Sequence, residues 1–416
     1  MLKLMLQSLR NRLTSVLLTL TVIAVAVALF IGVELVRSQA KQSFANTISG
    51  TDLVVGARSG NINLLLYSVF RLGNATNNIG WDTYERLSNT RGIAWTIPLS
   101  LGDSHRGYRV LGTNQAYFDH YQFGQKQALT LAQGERFDQL FEVVLGAEVA
   151  QKLGYQLGDK LALAHGAGGS TSFSLHDDMP FTVVGILAPT GTPVDRTLHV
   201  SLEAIEAIHV GWQGGVRTHG VEVGQVKQMD LTPNTITAFL VGLESKFQLL
   251  GVQRAINTYR DEPLSAVLPG MALAELWTLL SQAEKALAIV AAFVVAVGLT
   301  GMLTTLLASL NERRREMAIL RAMGAGPRHI FLLLWAEAAL LALVGTLLGY
   351  LLAQAVILAL APLALAQYGL VLSLDLPSGT ILWMMLAVQL AGSAAGLIPA
   401  WRAYRHTLAD GLTQRL

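Results

Sequence analysis

His176, Asp177 and Asp178 stand side by side, and imidazole nitrogen beside carboxylate oxygen is a donor set for a divalent metal ion. Three adjacent residues do not converge on one ion, so His165 or His199 would have to approach before a site closed. The stretch therefore reads as a polar turn, and no metal is assigned. Asp82, Glu85, Asp103 and His105 add carboxylates and imidazole without a catalytic spacing such as G-x-S-x-G or H-E-x-x-H. Gly166-Ala-Gly-Gly-Ser-Thr171 is glycine-rich but lacks a lysine, and G-x-x-x-x-G-K-[ST] occurs nowhere in the chain. The chain has no cysteine, which excludes thiolate catalysis, cysteine metal sites and disulfides. No catalytic residue and no cofactor are assigned to this chain.

A different kind of work is written in Asn311-Glu312-Arg313-Arg314-Arg315-Glu316-Met317-Ala318-Ile319-Leu320-Arg321-Ala322-Met323-Gly324-Ala325-Gly326. This strongly charged segment lies between an apolar run from about Ala286 to Leu310 and another from about Ile330 past Leu352. Each run can cross a bilayer, which takes about 20 apolar residues in a helix. Arg313, Arg314, Arg315, Arg321 and Arg328 place the segment on the cytoplasmic face by the positive-inside bias. The segment should be helical, with Met317, Leu320 and Gly324 on one side and Ile319 and Met323 beside them. Gly324 and Gly326 end it, and Pro327 can open the next helix. Such a helix either presents itself to a partner or serves only to fix topology and bind anionic head groups.

The elements that hold this segment follow from hydropathy. With 52% hydrophobic residues and 14% charged, the chain is too apolar for a soluble enzyme of 416 residues, and a formal charge of +2 argues against nucleic acid. Residues 1–14 form an amphipathic stripe suited to the membrane interface or to a cytoplasmic extension of the first span. Residues 15–50 hold that span and a stalk, and the first apolar run is too long for a cleavable signal. Residues 51–270 form one large mixed α/β domain outside the cytoplasm. A strand-rich module at about 130–215 interrupts it. Within it Glu142–Leu153 reads as a helix. Lys160–Ala164, Phe173–Leu175, Phe181–Leu187 and Leu198–Val200 read as strands, and Ser201 as the cap of a helix through Ile208. Thr235–Val241 reads as a buried strand and Phe247–Ile256 as a helix. Residues 271–310 are a second stalk and span, 311–327 the cytoplasmic helix, and 328–365 a third span that Pro362 ends or kinks. A short outer loop with Asp375 leads to a fourth span at 380–398, closed by Pro399. Residues 399–416 are a cytoplasmic tail, with Arg402, Arg405 and His406. The expected class is an α+β integral membrane protein: four transmembrane helices, both termini cytoplasmic, and the mixed domain inserted between the first two spans.

Two further groups of residues invite roles. Leu64, Leu65, Leu66, Tyr67 and Phe70 lie in an unusually apolar stretch, either a buried helix or a surface facing an amphipathic substrate. In the third span, Gly345 and Gly349 form a G-x-x-x-G that allows close helix approach, within the chain or across a dimer. Glu337 in the same span is a costly intramembrane carboxylate that must face protein or water.

Glu312–Ala325 followed by an apolar span, Pro399-Ala-Trp-Arg-Ala-Tyr-Arg405 after the last span, and Val143–Ala150 with Leu153–Asp159 and Phe181–Gly185 resemble the motifs of the FtsX/MacB-type permeases. These are the membrane subunits of type VII ABC transporters, including the MacB and LolC/LolE proteins. The resemblance implies an inner-membrane permease that works as a dimer, a homodimer on this reading. Its cytoplasmic ABC ATPase, a separate polypeptide here, would bind ATP and magnesium. It also implies contact with membrane lipids and a periplasmic adaptor or acceptor protein. Glu312, Arg313, Arg314, Glu316, Met317 and Leu320 would then couple to the ATPase. The expected function is movement or extraction of an amphipathic substrate (lipoprotein, lipid, peptide or hydrophobic drug). The alternative is ATPase-driven regulation of a periplasmic enzyme without transport.

Overall fold

The computed structural model describes residues 12–166, 176–213, 216–217, 223–368, 372, 374 and 376–405; for 212, 213, 216, 217, 223, 311–316, 318 and 365–368 it describes the backbone only. Most of the expected N-terminal amphipathic helix, the strand at Phe173–Leu175, all but the first residue of the Gly166–Thr171 loop, Asp375 and the tail beyond Arg405 lie outside the described residues. The chain divides into two units. One comprises Met1–Ala40, Ser281–Ala364 and Leu372–Leu416, and the other Lys41–Leu280 and Leu365–Val371.

Among the described residues, the second unit is built on an eleven-stranded sheet. In chain order its strands are β1 (Leu53–Ala57), β2 (Ile93–His105), β3 (Tyr108–Thr113), β4 (Leu131–Gly134), β5 (Glu142–Leu145), β6 (Lys160–Leu161), β7 (Ala164–His165), β8 (Phe181–Leu187), β9 (Thr197–Ser201), β10 (Ala238–Leu243) and β11 (Leu264–Val267). The spatial order is β11-β1-β10-β2-β3-β9-β5-β8-β4, with β7 added to β2 and β6 to β8. Side chains alternate between the faces, as the period of two demands. Val54 and Leu240 enter the core that holds Leu64, Leu65 and Tyr67, whereas Leu53, Val55, Phe239 and Val241 enter the one that holds Tyr84, Leu87, Val252 and Ile256. A third core gathers Val143, Leu145, Phe181, Val183, Leu198 and Val200 under Ala204 and Ile208.

The described residues of the region 130–215 thus have a core of their own, while their strands join the large sheet, where β9 pairs parallel with β3. The expected helix at Glu142–Leu153 is corrected: Glu142–Leu145 is strand β5 and only Ala147–Leu153 is helical. Val143 and Val144 are β-branched and take buried positions beside β8. Gly146 then turns the chain where a Cβ would meet the Val194 and Asp195 carbonyl oxygens at 2.3 and 2.5 Å. The helix Leu202–His209 forms as expected, its Ser201 Oγ accepting from the Ala204 N–H at 3.1 Å.

Four helices among the described residues are long and apolar enough to cross a membrane. The first is Leu13–Asn46. The second, Pro269–Ala322, has 54 residues and runs unbroken into the segment expected as a separate helix at 311–327, as far as Ala322. No glycine or proline interrupts it between Leu310 and Ala322. It stops in a Schellman motif: Gly324 takes φ +95°, Ala325 N–H donates to Leu320 O at 2.9 Å and Gly324 N–H to Arg321 O at 3.0 Å. The third, Pro327–Tyr368, continues past Pro362, so that proline does not end it. The fourth is Gly379–Ala395, and the helix is interrupted at Gly396, ahead of Pro399. Pro399 sits in the first turn of a further helix, Leu397–Arg405, where its missing N–H costs nothing.

Candidate functional site

The largest group of candidate residues lies at the C-terminal end of the second long helix. Glu312, Arg313, Arg314 and Glu316 lie on it, and only their backbone is described. Met317 packs inward against a cluster of Leu310, Ile330, Leu334, Ala400 and Ala403. The Arg321 guanidinium donates to the Ala403 carbonyl at 3.1 Å, which ties the helix end to Leu397–Arg405. Leu320 is half-buried, whereas Ile319 and Met323 are 50% and 72% exposed. The apolar face open to a partner is therefore that of Ile319 and Met323, and Met317 is committed to its own unit.

The glycines of the third long helix pack within the chain. A Cβ on Gly345 would meet Ile23 Cγ2 at 2.6 Å, and one on Gly349 would meet Val27 Cβ at 2.7 Å and the Ala24 carbonyl at 2.8 Å. Glu337 is buried. Near it, Trp335 Nε1 donates to Ser393 O at 3.0 Å and Gln389 Nε2 to Ala339 O at 3.1 Å, linking the third and fourth helices.

In the sheet unit the apolar stretch forms a helix, Asn61–Ser68. Leu64, Leu65 and Phe70 are buried in the core, and Leu66 packs against it, so these side chains do not form an open face. Phe70 packs against Phe44 with ring centroids 4.6 Å apart and the ring planes tilted by 38°. Tyr67 alone of the five lines a cavity of about 230 Å³, shared with Arg71, Asn74, Asn78, Gly102 and Arg109. Arg109 donates to the Gly73 carbonyl at 3.0 Å and to Asn74 Oδ1 at 3.1 Å. Burial, and then the Arg71 charge, hold its guanidinium below the ordinary value.

Beside Gly102 lies a constellation that the sequence separates widely. Asp103, His165, His176 and His209 each offer a donor atom, all within 4.8 Å of one another. Strand pairing positions the first two: Asp103 and His165 are direct partners between β2 and β7. The β2–β3 register slips between Leu101 and Ser104, a bulge that re-aims Asp103. His176 is anchored by its N–H to Leu163 O at 2.8 Å. His209 ends its helix, and its Nδ1–H donates to Ile205 O at 2.7 Å, which turns Nε2 toward the others. His165 Nδ1 is 3.0 Å from His209 Nε2 and 3.3 Å from Asp103 Oδ1, and His209 Nε2 is 3.6 Å from that oxygen. Burial opposes the Asp103 charge, but the neighbouring His165 and His209 imidazoles prevail and bring its carboxyl down to about 2. Burial keeps His176 below the usual histidine range. Asp177 is exposed and stands apart from the group, as does His199, which is buried 3.3 Å from Val144 O. Sequence reasoning weighed His176 with His165, named Asp103 only among carboxylates without a catalytic spacing, and had no signal for His209, because strand register and a helix end bring the last two in.

Comparison with known proteins adds the following. The MacB-like periplasmic core domain matches residues 16–248, and the FtsX-like permease C-terminal domain matches residues 288–408. The macrolide export ATP-binding/permease protein MacB of Azoarcus sp. (strain BH72) is 26% identical over 193 residues, which are 45% of this chain and 27% of that protein. The chain thus spans about a quarter of the length of that curated relative. The periplasmic region of MacB from Actinobacillus actinomycetemcomitans aligns with 12% identity and a TM-score of 0.34, over 55% of this chain and 94% of that one. The extracellular domain of the noncanonic ABC-type transporter YknZ from Gram-positive bacteria aligns with 12% identity and a TM-score of 0.30, over 52% and 98%.

Proposed function

The chain belongs to the FtsX/MacB-type permeases, its MacB-like periplasmic core match covering residues 16–248, and from that membership we propose that it is the membrane part of an ABC transporter driven by a cytoplasmic ABC ATPase. In this reading the subunit has no catalytic site and no cofactor of its own. It sits in the inner membrane as a homodimer with both termini cytoplasmic, and the mixed α/β domain lies outside between the first two spans. ATP-driven closure of the partner is carried outward to move or extract an amphipathic substrate: a lipoprotein, lipid, peptide or hydrophobic drug.

The observation that supports this reading is the unbroken helix Pro269–Ala322. It starts directly after β11 of the sheet unit and ends, 54 residues on, at the basic segment. A helix rises about 1.5 Å per residue, so this one is a rod of roughly 80 Å, longer than a bilayer crossing takes. The rod gives an ATPase contact at one end a lever on the outer domain. Glu312, Arg313, Arg314 and Glu316 would set charge complementarity at that contact. Its anchors are then Ile319 and Met323, because Met317 is packed inside.

The test is reconstitution of the full chain with its ATPase in lipid. Inserting Gly-Gly after Lys285 should leave the complex and its basal ATP hydrolysis intact while abolishing both ATP-dependent change in the outer domain and substrate release. Unaltered coupling with the helix interrupted would overturn the lever. Reporter fusions at Gly166 and at the C-terminus should give opposite sidedness, and equal sidedness would overturn the topology.

A further inference from the structure

We propose that Asp103, His165, His176 and His209 form a binding site for one divalent transition-metal ion, zinc before others. Three imidazoles and a carboxylate are donors that zinc, copper and nickel take, and calcium or magnesium, which seek oxygen cages, do not.

The distances carry the argument. Tetrahedral zinc with bonds of about 2.0–2.1 Å sets its donor atoms roughly 3.3–3.4 Å apart. His165 Nδ1, His209 Nε2 and Asp103 Oδ1 already form a triangle with edges of 3.0, 3.3 and 3.6 Å. His176 supplies the fourth vertex from within 4.8 Å, and a side-chain shift on the order of 1 Å brings its nitrogen to ligand spacing. The orientation of the donors agrees. His209 gives its Nδ1–H to the Ile205 carbonyl, the outer hydrogen bond that fixes a metal-binding imidazole with its other nitrogen lone pair forward. Asp103 is 2% exposed, and a buried carboxylate needs positive charge beside it. At the register slip in β2, Asp103 pairs directly with His165 of β7, and directly opposed residues of an antiparallel pair carry their side chains on one face.

The four ligands come from four separate stretches: β2, β7, the turn at His176 and the end of the helix Leu202–His209. Four protein ligands leave no open position for a substrate, so the ion acts as a cross-link and not as a catalyst. It would pin the region 130–215 to the long strand β2. His165 is exposed, which leaves the ion a path to solvent.

The proposal is tested on the full chain in detergent, with any affinity tag removed and metal stripped by a chelator. Zinc should bind at one ion per chain, raise the melting temperature, and resist a large excess of calcium. Cobalt in its place should give the intense visible absorption of a tetrahedral centre, a readout that needs no variant. His165→Ala changes an exposed side chain and should fold, yet bind zinc at least ~10–100-fold more weakly, the loss seen even for the outer partners of metal ligands. Asp177→Ala, one residue from His176 but outside the group, should bind as the parent does. Sub-stoichiometric zinc, an octahedral cobalt spectrum, or undiminished binding by His165→Ala would overturn the site and leave the four residues an ion-paired cluster.

Discussion

Replacing Gly349 with alanine should force apart the first and third long helices. The new Cβ would lie 2.7 Å from Val27 Cβ, 2.8 Å from Val27 Cγ1 and 2.8 Å from the Ala24 carbonyl oxygen. Carbon atoms rest about 3.5–4.0 Å apart, so the overlap is roughly 1 Å. No rotamer change relieves it, because two of the three atoms are fixed to the partner backbone. Overpacking of this kind typically costs about 1–3 kcal/mol. Alanine also gains helix propensity over glycine, up to about 1 kcal/mol, which masks part of the cost. Gly32→Ala in the first helix supplies the control, since a Cβ there meets nothing within 4 Å. Both substitutions gain the propensity, so their difference isolates the clash, an equilibrium factor of about 5 to 150. Unfolding titrations of both variants from mixed micelles with a denaturing detergent measure it. Equal stability of the two, or a less stable Gly32→Ala, would refute the packing at Gly349.

Three other outcomes are expected. Ile319→Asp should lower ATPase copurification by about tenfold or more as an anchor lost from a contact, while Met317→Asp should instead destabilise the membrane unit; an unchanged complex for Ile319→Asp would move the contact elsewhere. Burial, then the Arg71 charge, push His199 down to about 3. The unfolded chain therefore binds the extra proton first, and stability is lost as pH falls from about 6.5 toward 3; in denaturant titrations across that range, His199→Phe, set among Tyr117 and Phe118, should flatten the slope relative to the parent. Ser201→Ala removes the cap of the helix Leu202–His209 and should cost about 1 kcal/mol in thermal or denaturant melts.

What the sequence determined alone is the part set by local physics. A helix in lipid satisfies its own backbone, so an apolar run of sufficient length is enough to call for one, and four such helices stand among the described residues. Gly324 and Pro327 mark the end of one long helix and the start of the next through φ preferences that act within a few residues. Ser201 caps its helix for the same reason. Periodicity could not decide Glu142–Leu145, because a short apolar run suits a buried strand and a helix equally, and the neighbouring β8 decided it. Nor could it show that Leu64 and Leu65 are core, that Met317 turns inward, or that Gly345 and Gly349 face Ile23 and Val27, since each depends on what packs opposite. The convergence of Asp103, His165, His176 and His209 lies furthest from sequence. It rests on a strand register, a bulge and the length of one helix, and a slip of one residue in β7 would turn His165 to the other face.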